Sequence, residues 1–173
     1  MPRQEISFRE ATGQDAATVI ALFNQVGTES EYLIMDETGF QGALEQMTTV
    51  LDKGLETPNT LCLLALVNDE AIGIVNIKAD WHERINHIGD VFIAVRKDYW
   101  GHGIGQILME EAIDWAQHSG VIKRLELTVQ VRNSRAVHIY EKFGFEIEGT
   151  KRRGAKTKNG EYLDVYLMAK LID

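Results

Sequence analysis

A glycine-rich turn between an apolar strand and an amphipathic helix constrains the fold of this chain more than any other stretch. Residues 87–95, HIGDVFIAV, are mostly apolar and predict a strand. Residues 104–120, IGQILMEEAIDWAQHSG, carry apolar side chains at helical spacing. The turn between them contains Gly101, Gly103 and Gly105. A strand that leads into such a turn and then a helix can bind a phosphate through backbone N–H groups and the helix N-terminus.

Two common phosphate-binding motifs do not fit this turn. The dinucleotide motif G-x-G-x-x-G requires a glycine at position 106, where the chain has Gln106. A P-loop requires Gly-Lys followed by Ser or Thr, and the sequence has no such triplet. A turn that serves only chain geometry is the alternative, since glycine allows backbone conformations that other residues avoid.

The turn resembles the acetyl-coenzyme A loop of the GNAT N-acetyltransferase superfamily, R/Q-x-x-G-x-G/A. Trp100 stands where the family has Arg or Gln, and this is the one departure. The resemblance implies that the turn holds the pyrophosphate of the cofactor and that the end of the preceding strand pairs with its pantetheine arm. The residues implied in cofactor binding are Ile93, Ala94 and Val95 on the strand, and Trp100, Gly101, His102, Gly103, Ile104, Gly105 and Gln106 in the turn.

A second block of the chain resembles the same superfamily. Its pattern, V-x-x-x-N-x-x-A-x-x-x-Y-x-x-x-G-F, runs from Val129 to Phe145 and includes Asn133 and Tyr140. On a helix these two side chains lie on nearly one face, roughly 10 Å apart along the axis. Each residue also has a purely structural interpretation: Asn133 as the N-cap of the helix and Tyr140 as a core residue. Two blocks in the family's order favour a role at the cofactor, with Arg135 as the first candidate for the ribose phosphate.

Periodicity along the whole chain predicts the element order β-α-α-β-β-β-α-β-α-β-β. The first helix begins at Thr12 or Gly13 and is expected to end at Gly27, and Thr38 is a candidate cap for the second. The strand–helix–strand unit around the glycine turn implies parallel pairing in a mixed α/β sheet. This order matches the GNAT fold, which implies a central mixed sheet of about seven strands, about four flanking helices and one domain over residues 1–173.

Acetyl transfer from a thioester to an amine sets three chemical requirements. The amine must be neutral, the carbonyl oxygen must be polarised, and the departing thiolate benefits from a proton. Tyr140 is the predicted acid, because a phenol with a reference pKa near ~10 is protonated at neutral pH. The resemblance implies direct attack by the amine in a ternary complex, so Cys62, within an apolar run, is not needed as a nucleophile.

The general base is left open by the sequence. Relatives that resemble ribosomal-protein N-terminal acetyltransferases have a glutamate five residues before the asparagine, and this chain has Thr128 there. Glu126 lies two residues earlier on the same predicted strand face, Asp90 lies on the neighbouring strand, and His87 has the most suitable ordinary pKa. A water chain without a dedicated base is a further alternative.

Composition limits the class of function. The chain has 173 residues, a formal net charge of −8 and one cysteine, which argue against a broad nucleic-acid-binding surface and against a disulfide framework. No apolar stretch is long enough to span a membrane, and the five scattered histidines lack metal-ligand spacing. We therefore expect a cytoplasmic enzyme without a metal, nucleic-acid or membrane partner. The family resemblance also implies that a homodimer can form.

The leading hypothesis is an acetyl-coenzyme A-dependent N-acetyltransferase whose acceptor is a small amine, an amino acid or a protein N-terminus. Tyr162, Asp164 and Tyr166 on the last strand are candidate acceptor-pocket residues, although strand residues that face solvent fit equally well. One alternative is a catalytically silent sensor of acetyl-coenzyme A with the same fold. The other is a nucleotide-binding module that uses the same turn.

Overall fold

The structure, a computed structural model, describes residues 4–33 and 42–173. In this part of the chain, seven strands and four α-helices follow one another in the predicted order, so the prediction of a mixed α/β fold is confirmed. The strands are β1 (Ile6–Glu10), β2 (Leu61–Val67), β3 (Glu70–Ala79), β4 (Ile88–Val95), β5 (Arg124–Gln130), β6 (Glu146–Lys156) and β7 (Tyr162–Leu171). The helices are α1 (Ala16–Glu29), α2 (Leu44–Glu56), α3 (Ile104–His118) and α4 (Ser134–Lys142), with short 3-10 turns at Gly13–Asp15 and Lys97–Tyr99.

All seven strands form one sheet in the order β1-β2-β3-β4-β5-β7-β6. Neighbouring strands are antiparallel except β4 and β5, which are parallel. β4 and β5 pair only over residues 88–90 and 124–126. Beyond that point β4 stays paired with β3 up to Val95, and β5 stays paired with β7 up to Gln130. The two halves of the sheet therefore separate, and a gap opens between β4 and β5.

Apolar side chains cover both faces of the sheet. Residues of α3 and α4, among them Leu108 and Val137, form one buried cluster with the strands. Residues of α1 and α2, among them Val19 and Met47, form a second cluster on the other face. Because both faces of the central strands are buried, β2 and β3 are nearly continuous apolar runs rather than alternating ones. Packing on both sides fixes the position of the gap.

The helical segment begins at Gly13, as the sequence predicts, but with a 3-10 turn; α1 itself begins at Ala16 and ends later than predicted. The Thr12 hydroxyl caps the 3-10 turn that leads into α1, and the Asp15 carboxylate accepts from the Thr12 N–H at 2.8 Å. The prediction that Gly27 ends the helix is wrong, since α1 continues to Glu29. Gly27 is buried within the last turn, and the Lys97 N–H donates to Glu29 Oε1 at 3.0 Å. This tertiary contact holds the last turn against the end of β4.

The second helix begins at Leu44. Gln46 Oε1 accepts from the Ala43 N–H at 3.1 Å, which gives the capping residue a partner for its backbone donor. Met47 is among the residues that α2 buries against the sheet. Thr38, the candidate cap from the sequence, lies outside the described residues.

The junction of β4 and β5 has no room for a larger residue at Gly89. A Cβ built there would lie 2.7 Å from Ile77 Cγ2 and 3.0 Å from Leu125 Cδ2, both of which are core side chains. Gly89→Ala should therefore lower the free energy of unfolding by about 1–3 kcal/mol, measured by urea denaturation. Gly149→Ala on β6 is the matched control, because, chain neighbours aside, no heavy atom of the described residues lies within 4 Å of a Cβ built there. Equal losses in the two variants would contradict the tight junction.

Candidate active site

The gap between β4 and β5 opens into a cavity of about 350 Å³. Its walls come from the end of β4, the glycine turn, α3, α4 and the end of α1 with the residues that follow it. His102 is exposed in the turn and does not line the cavity. All the other predicted cofactor-binding residues line it: Ile93, Ala94, Val95, Trp100, Gly101, Gly103, Ile104, Gly105, Gln106, Asn133, Arg135 and Tyr140. Their roles at the cofactor stay predictions.

Two glycines give the turn a backbone that other residues adopt only with strain. Gly101 (φ +81°) and Gly103 (φ +76°) are left-handed, and Gly103 is the capping residue of α3. Chain neighbours aside, no heavy atom of the described residues lies within 4 Å of a Cβ built at either position. The first turn of α3, a helix of 15 residues, contains no acidic residue. Bare backbone N–H groups at this helix N-terminus fit a diphosphate group.

Trp100 fastens the turn to β4. Its indole Nε1–H donates to the Val95 carbonyl at 2.7 Å, while nearly half of the residue is exposed. The family's Arg or Gln at this position also carries N–H donors. Trp100 therefore retains a side-chain hydrogen-bond donor at this position, although it replaces the family's Arg or Gln.

β4 offers a backbone edge to the cavity. Ile93, Ala94 and Val95 pair with β3 on one side, but beyond residue 90 they have no ladder partner on β5. An extended arm with amide groups, such as pantetheine, can pair with this edge as an added strand. The edge and the glycine turn are contiguous. The cavity thus fits a ligand with a diphosphate at one end and an extended amide-containing arm at the other.

Asn133 and Tyr140 line the same cavity and also make structural contacts. Asn133 Oδ1 accepts from the Ala136 N–H at 3.3 Å and caps α4. Tyr140 packs near Phe145, with 6.1 Å between the ring centroids, and burial raises the pKa of its phenol to about 12. A phenol with this pKa is protonated at neutral pH and can donate a proton. Each side chain therefore makes the structural contact expected of a cap or a core residue and also lines the cavity, so the two interpretations of the sequence are compatible.

The two candidate carboxylates lie beside the gap and do not line the cavity. Asp90 and Glu126 are the last pair in the register before β4 and β5 separate. Glu126 Oε2 accepts from Arg124 Nε at 2.9 Å, and Arg124 also donates to both carboxylate oxygens of Glu148. Partial burial raises the pKa of Asp90, and the charge of Glu126 adds to this shift while Lys78 opposes it. Of the two carboxylates, Asp90 is the one that no guanidinium of the described residues engages.

Sequence reasoning missed part of the cavity wall. Tyr99, Met109 and Ile139 line it, but nothing in the sequence distinguishes them from core residues. Tyr32 and Leu33, just after α1, also line it. The only sequence signal for these two is a crowding of acidic and aromatic residues in the connection that follows α1.

The candidate acceptor residues of the last strand lie outside this cavity. Asp164 Oδ1 accepts from the Arg153 N–H at 3.0 Å, and the Arg153 guanidinium lies over the Tyr162 ring, 5.1 Å from its centroid. Tyr166 packs against the core cluster that α3 and α4 share with the sheet. The contacts of these three residues stabilise the β6–β7 hairpin and the core.

Cys62 is not a nucleophile in this structure. Burial raises the pKa of its thiol to about 12, so the reactive thiolate does not form at neutral pH. Within residues 4–33 and 42–173, no group of three or more His, Cys, Asp or Glu side chains can hold a metal ion. No helix in these ranges is long and apolar enough to cross a membrane.

Gly103→Ala should raise the Kd of coenzyme A roughly tenfold, measured by isothermal titration calorimetry. A left-handed conformation costs alanine about 1–2 kcal/mol relative to glycine. The turn should therefore relax, which moves its N–H groups away from the diphosphate and weakens binding. Gly120→Ala is the matched control, because Gly120 has φ +72° and open space but lies beyond the other end of α3. We expect this control to bind coenzyme A normally, and equal weakening in both variants would contradict a role for the turn.

The chain is similar to known proteins along most of its length. The profile of the acetyltransferase (GNAT) family matches residues 29–145. An L-amino acid N-acetyltransferase of Escherichia coli strain K12 is 35% identical over 116 residues, which cover 67% of this chain and 71% of that protein. A GNAT-family acetyltransferase from Streptococcus pneumoniae, known from a crystal structure, is 48% identical. Its TM-score is 0.94, and the match covers 97% of this chain and 100% of the other.

A more distant structure shares the fold. The GNAT-superfamily phosphinothricin acetyltransferase of Sinorhizobium meliloti, solved in complex with acetyl-coenzyme A, is 16% identical with a TM-score of 0.81. The match covers 96% of this chain and 88% of the other. The resemblance drawn from the two sequence blocks is confirmed, and so is acetyl-coenzyme A as the cosubstrate. The chain belongs to the GNAT acetyltransferase family and is an acetyl-coenzyme A-dependent N-acetyltransferase.

Proposed function

We propose that this enzyme acetylates the α-amine of a free amino acid by direct attack in a ternary complex. The observation that carries the proposal is the match to the Escherichia coli L-amino acid N-acetyltransferase, which covers 67% of this chain. Small amines and protein N-termini are the competing acceptors. The proposal includes a single catalytic domain over residues 1–173, a cytoplasmic location and the capacity to form a homodimer.

Acetyl-coenzyme A supplies the acetyl group as a thioester. In the proposed mechanism, the backbone from Gly101 to Gln106 binds the pyrophosphate and Arg135 binds the ribose phosphate. The edge of β4 at Ile93 to Val95 aligns the pantetheine arm and polarises the acetyl carbonyl through a backbone N–H. The support for these roles is that all these elements meet in one cavity.

Tyr140 is the proposed acid, which protonates the sulfur of the departing thiolate. Two observations support this role: the side chain lines the cavity, and burial raises the pKa of the phenol to about 12. The phenol therefore carries its proton throughout the pH range in which the acceptor amine becomes neutral. Asn133, the capping residue of α4 and about two helical turns before Tyr140, is the proposed partner of the pantetheine arm.

Asp90 is the proposed base, acting on the amine through water, in preference to Glu126. The Glu126 carboxylate already accepts a hydrogen bond from Arg124, so one of its oxygens is occupied. Asp90 has a raised pKa and stands at the point where the gap begins. A raised pKa brings a carboxyl closer to the range in which general bases work.

The acceptor is tested by coenzyme A thiol release with a panel of free amino acids, polyamines, aminoglycosides and peptides with small N-terminal residues. Release with free amino acids alone supports the proposal. Release with peptides or polyamines but not with amino acids overturns it in favour of another acceptor. Tight binding of acetyl-coenzyme A without release from any amine would instead support the silent sensor.

Tyr140→Phe should lower kcat roughly 100-fold or more, because the leaving thiolate loses its proton donor. Its KM for acetyl-coenzyme A should stay within about twofold, since phenylalanine keeps the ring that packs near Phe145. Tyr99→Phe is the matched control, because this tyrosine lines the same cavity and has no proposed proton transfer. Steady-state kinetics check both variants. A similar kcat for Tyr140→Phe and the wild type would remove the tyrosine from the mechanism.

Asp90 and Glu126 should differ in their effect on the pH profile. A base works only when deprotonated, so a raised pKa makes activity fall at a higher pH than for an ordinary aspartate. Asp90→Asn should abolish this fall together with most of the activity. Glu126→Gln should retain activity and move the fall to lower pH, because the charge that helps raise the pKa of Asp90 is gone.

The measurement is kcat/KM from about pH 4 to about pH 8, expressed as the ratio of each variant to the wild type. This ratio cancels the titration of the acceptor amine itself. A large loss in Glu126→Gln with a normal Asp90→Asn would reverse the assignment of the base. Normal profiles in both variants would support a water chain without a dedicated carboxylate.

A further inference from the structure

The last residue of α1 and the residues that follow it cross the mouth of the gap and are held at both of its edges. We call residues 29–33 the bridging segment. At the β4 side, Glu29 Oε1 accepts from the Lys97 N–H at 3.0 Å. At the β5 side, the Glu31 carbonyl accepts from Gln130 Nε2 at 3.1 Å and from Arg132 Nη2 at 3.3 Å. The residues of the segment that line the cavity are Ser30, Tyr32 and Leu33.

Arg132 is held in place by neutral groups. Its Nε donates to Gln130 Oε1 at 2.7 Å, its Nη2 donates to the Glu31 carbonyl, and its guanidinium lies over the Tyr32 ring, 5.2 Å from the centroid. Gln130 is only 6% exposed, so the acceptor of the Nε–H is fixed within the fold. Within residues 4–33 and 42–173, no carboxylate lies within 4 Å of this guanidinium.

Three other arginines are paired with carboxylates, among them Arg96, which pairs with Glu70 and Asp98. Arg9 pairs with Asp15, and Arg124 pairs with carboxylates on β5 and β6. Arg132 is instead exposed to solvent and lies over Tyr32, which lines the cavity, in a chain whose net charge is −8. Only two of its N–H groups are used in the contacts above, and a guanidinium has about five. A fixed guanidinium with spare donors binds a carboxylate by paired hydrogen bonds.

We propose that Arg132 is a specificity-determining residue that binds the α-carboxylate of the acceptor amino acid. Tyr32 lines the cavity and Arg132 lies over the Tyr32 ring, so a carboxylate held by Arg132 keeps the neighbouring α-amine at the mouth of the cavity. The enzyme thereby selects acceptors in which amine and carboxylate share one carbon. This inference rests on the proposed function and names the group that recognises the proposed acceptor.

The test compares three forms of the amino acid that proves to be the best acceptor: the free acid, its α-amide and its decarboxylated amine. Arg132→Gln should lower kcat/KM for the free acid roughly 10- to 100-fold, mainly through KM, because a charge-assisted pair is lost. Its kcat/KM for the amide and the amine, and its KM for acetyl-coenzyme A, should stay within about twofold. Arg132→Lys should restore part of the preference for the acid, since it keeps the charge without the paired geometry.

Arg152→Gln is the matched control, because Arg152 is an exposed arginine on the edge strand β6 and its loss changes the net charge equally. It should leave all three acceptors unchanged. If Arg132→Gln affects acid, amide and amine alike, the assignment of Arg132 is wrong while amino acid acetylation stands. If the wild type acetylates no free amino acid, the proposed function itself is wrong, and the role of Arg132 with it.

Discussion

The short parallel pairing between β4 and β5 is the constraint on which the rest of the site depends. Only residues 88–90 and 124–126 are joined, and beyond them each strand stays with its outer neighbour. The backbone groups that β4 does not pair with β5 face the cavity and need other partners. Buried backbone donors and acceptors without partners are costly. The same interruption of the sheet therefore creates the space for a ligand and supplies the hydrogen-bonding edge that can bind it.

Both sides of the cavity are tied to the end of β4. The glycine turn is held there by a hydrogen bond from the Trp100 indole to the Val95 carbonyl. The bridging segment is fastened there by Glu29 on the Lys97 N–H and reaches β5 through the Glu31 carbonyl. One strand end thus positions both the glycine turn and the bridging segment. A displacement of this strand end would change both sides together.

The charged side chains around the gap differ in whether they form ion pairs. Arg124 links Glu126 to Glu148 and so engages the carboxylate nearest the junction. Asp90 and Arg132 are left without an ion-pair partner in the part of the chain that the structure describes. The carboxylate of Asp90 on β4 and the guanidinium of Arg132, two residues after the end of β5, place opposite charges at two separate points along the gap. An acceptor that carries both an amine and a carboxylate is complementary to such an arrangement.

The sequence by itself determined the element order, the glycine turn between β4 and α3 and the cap at Asn133. These features depend on neighbours within a few residues, so periodicity, glycines and capping residues are enough to predict them. Only the tertiary structure decided that α1 runs past Gly27 and that Asp90, rather than Glu126, is the less engaged carboxylate. Those outcomes depend on contacts between residues far apart in the chain, on the water that burial removes and on the point where two strands separate, none of which a local pattern contains.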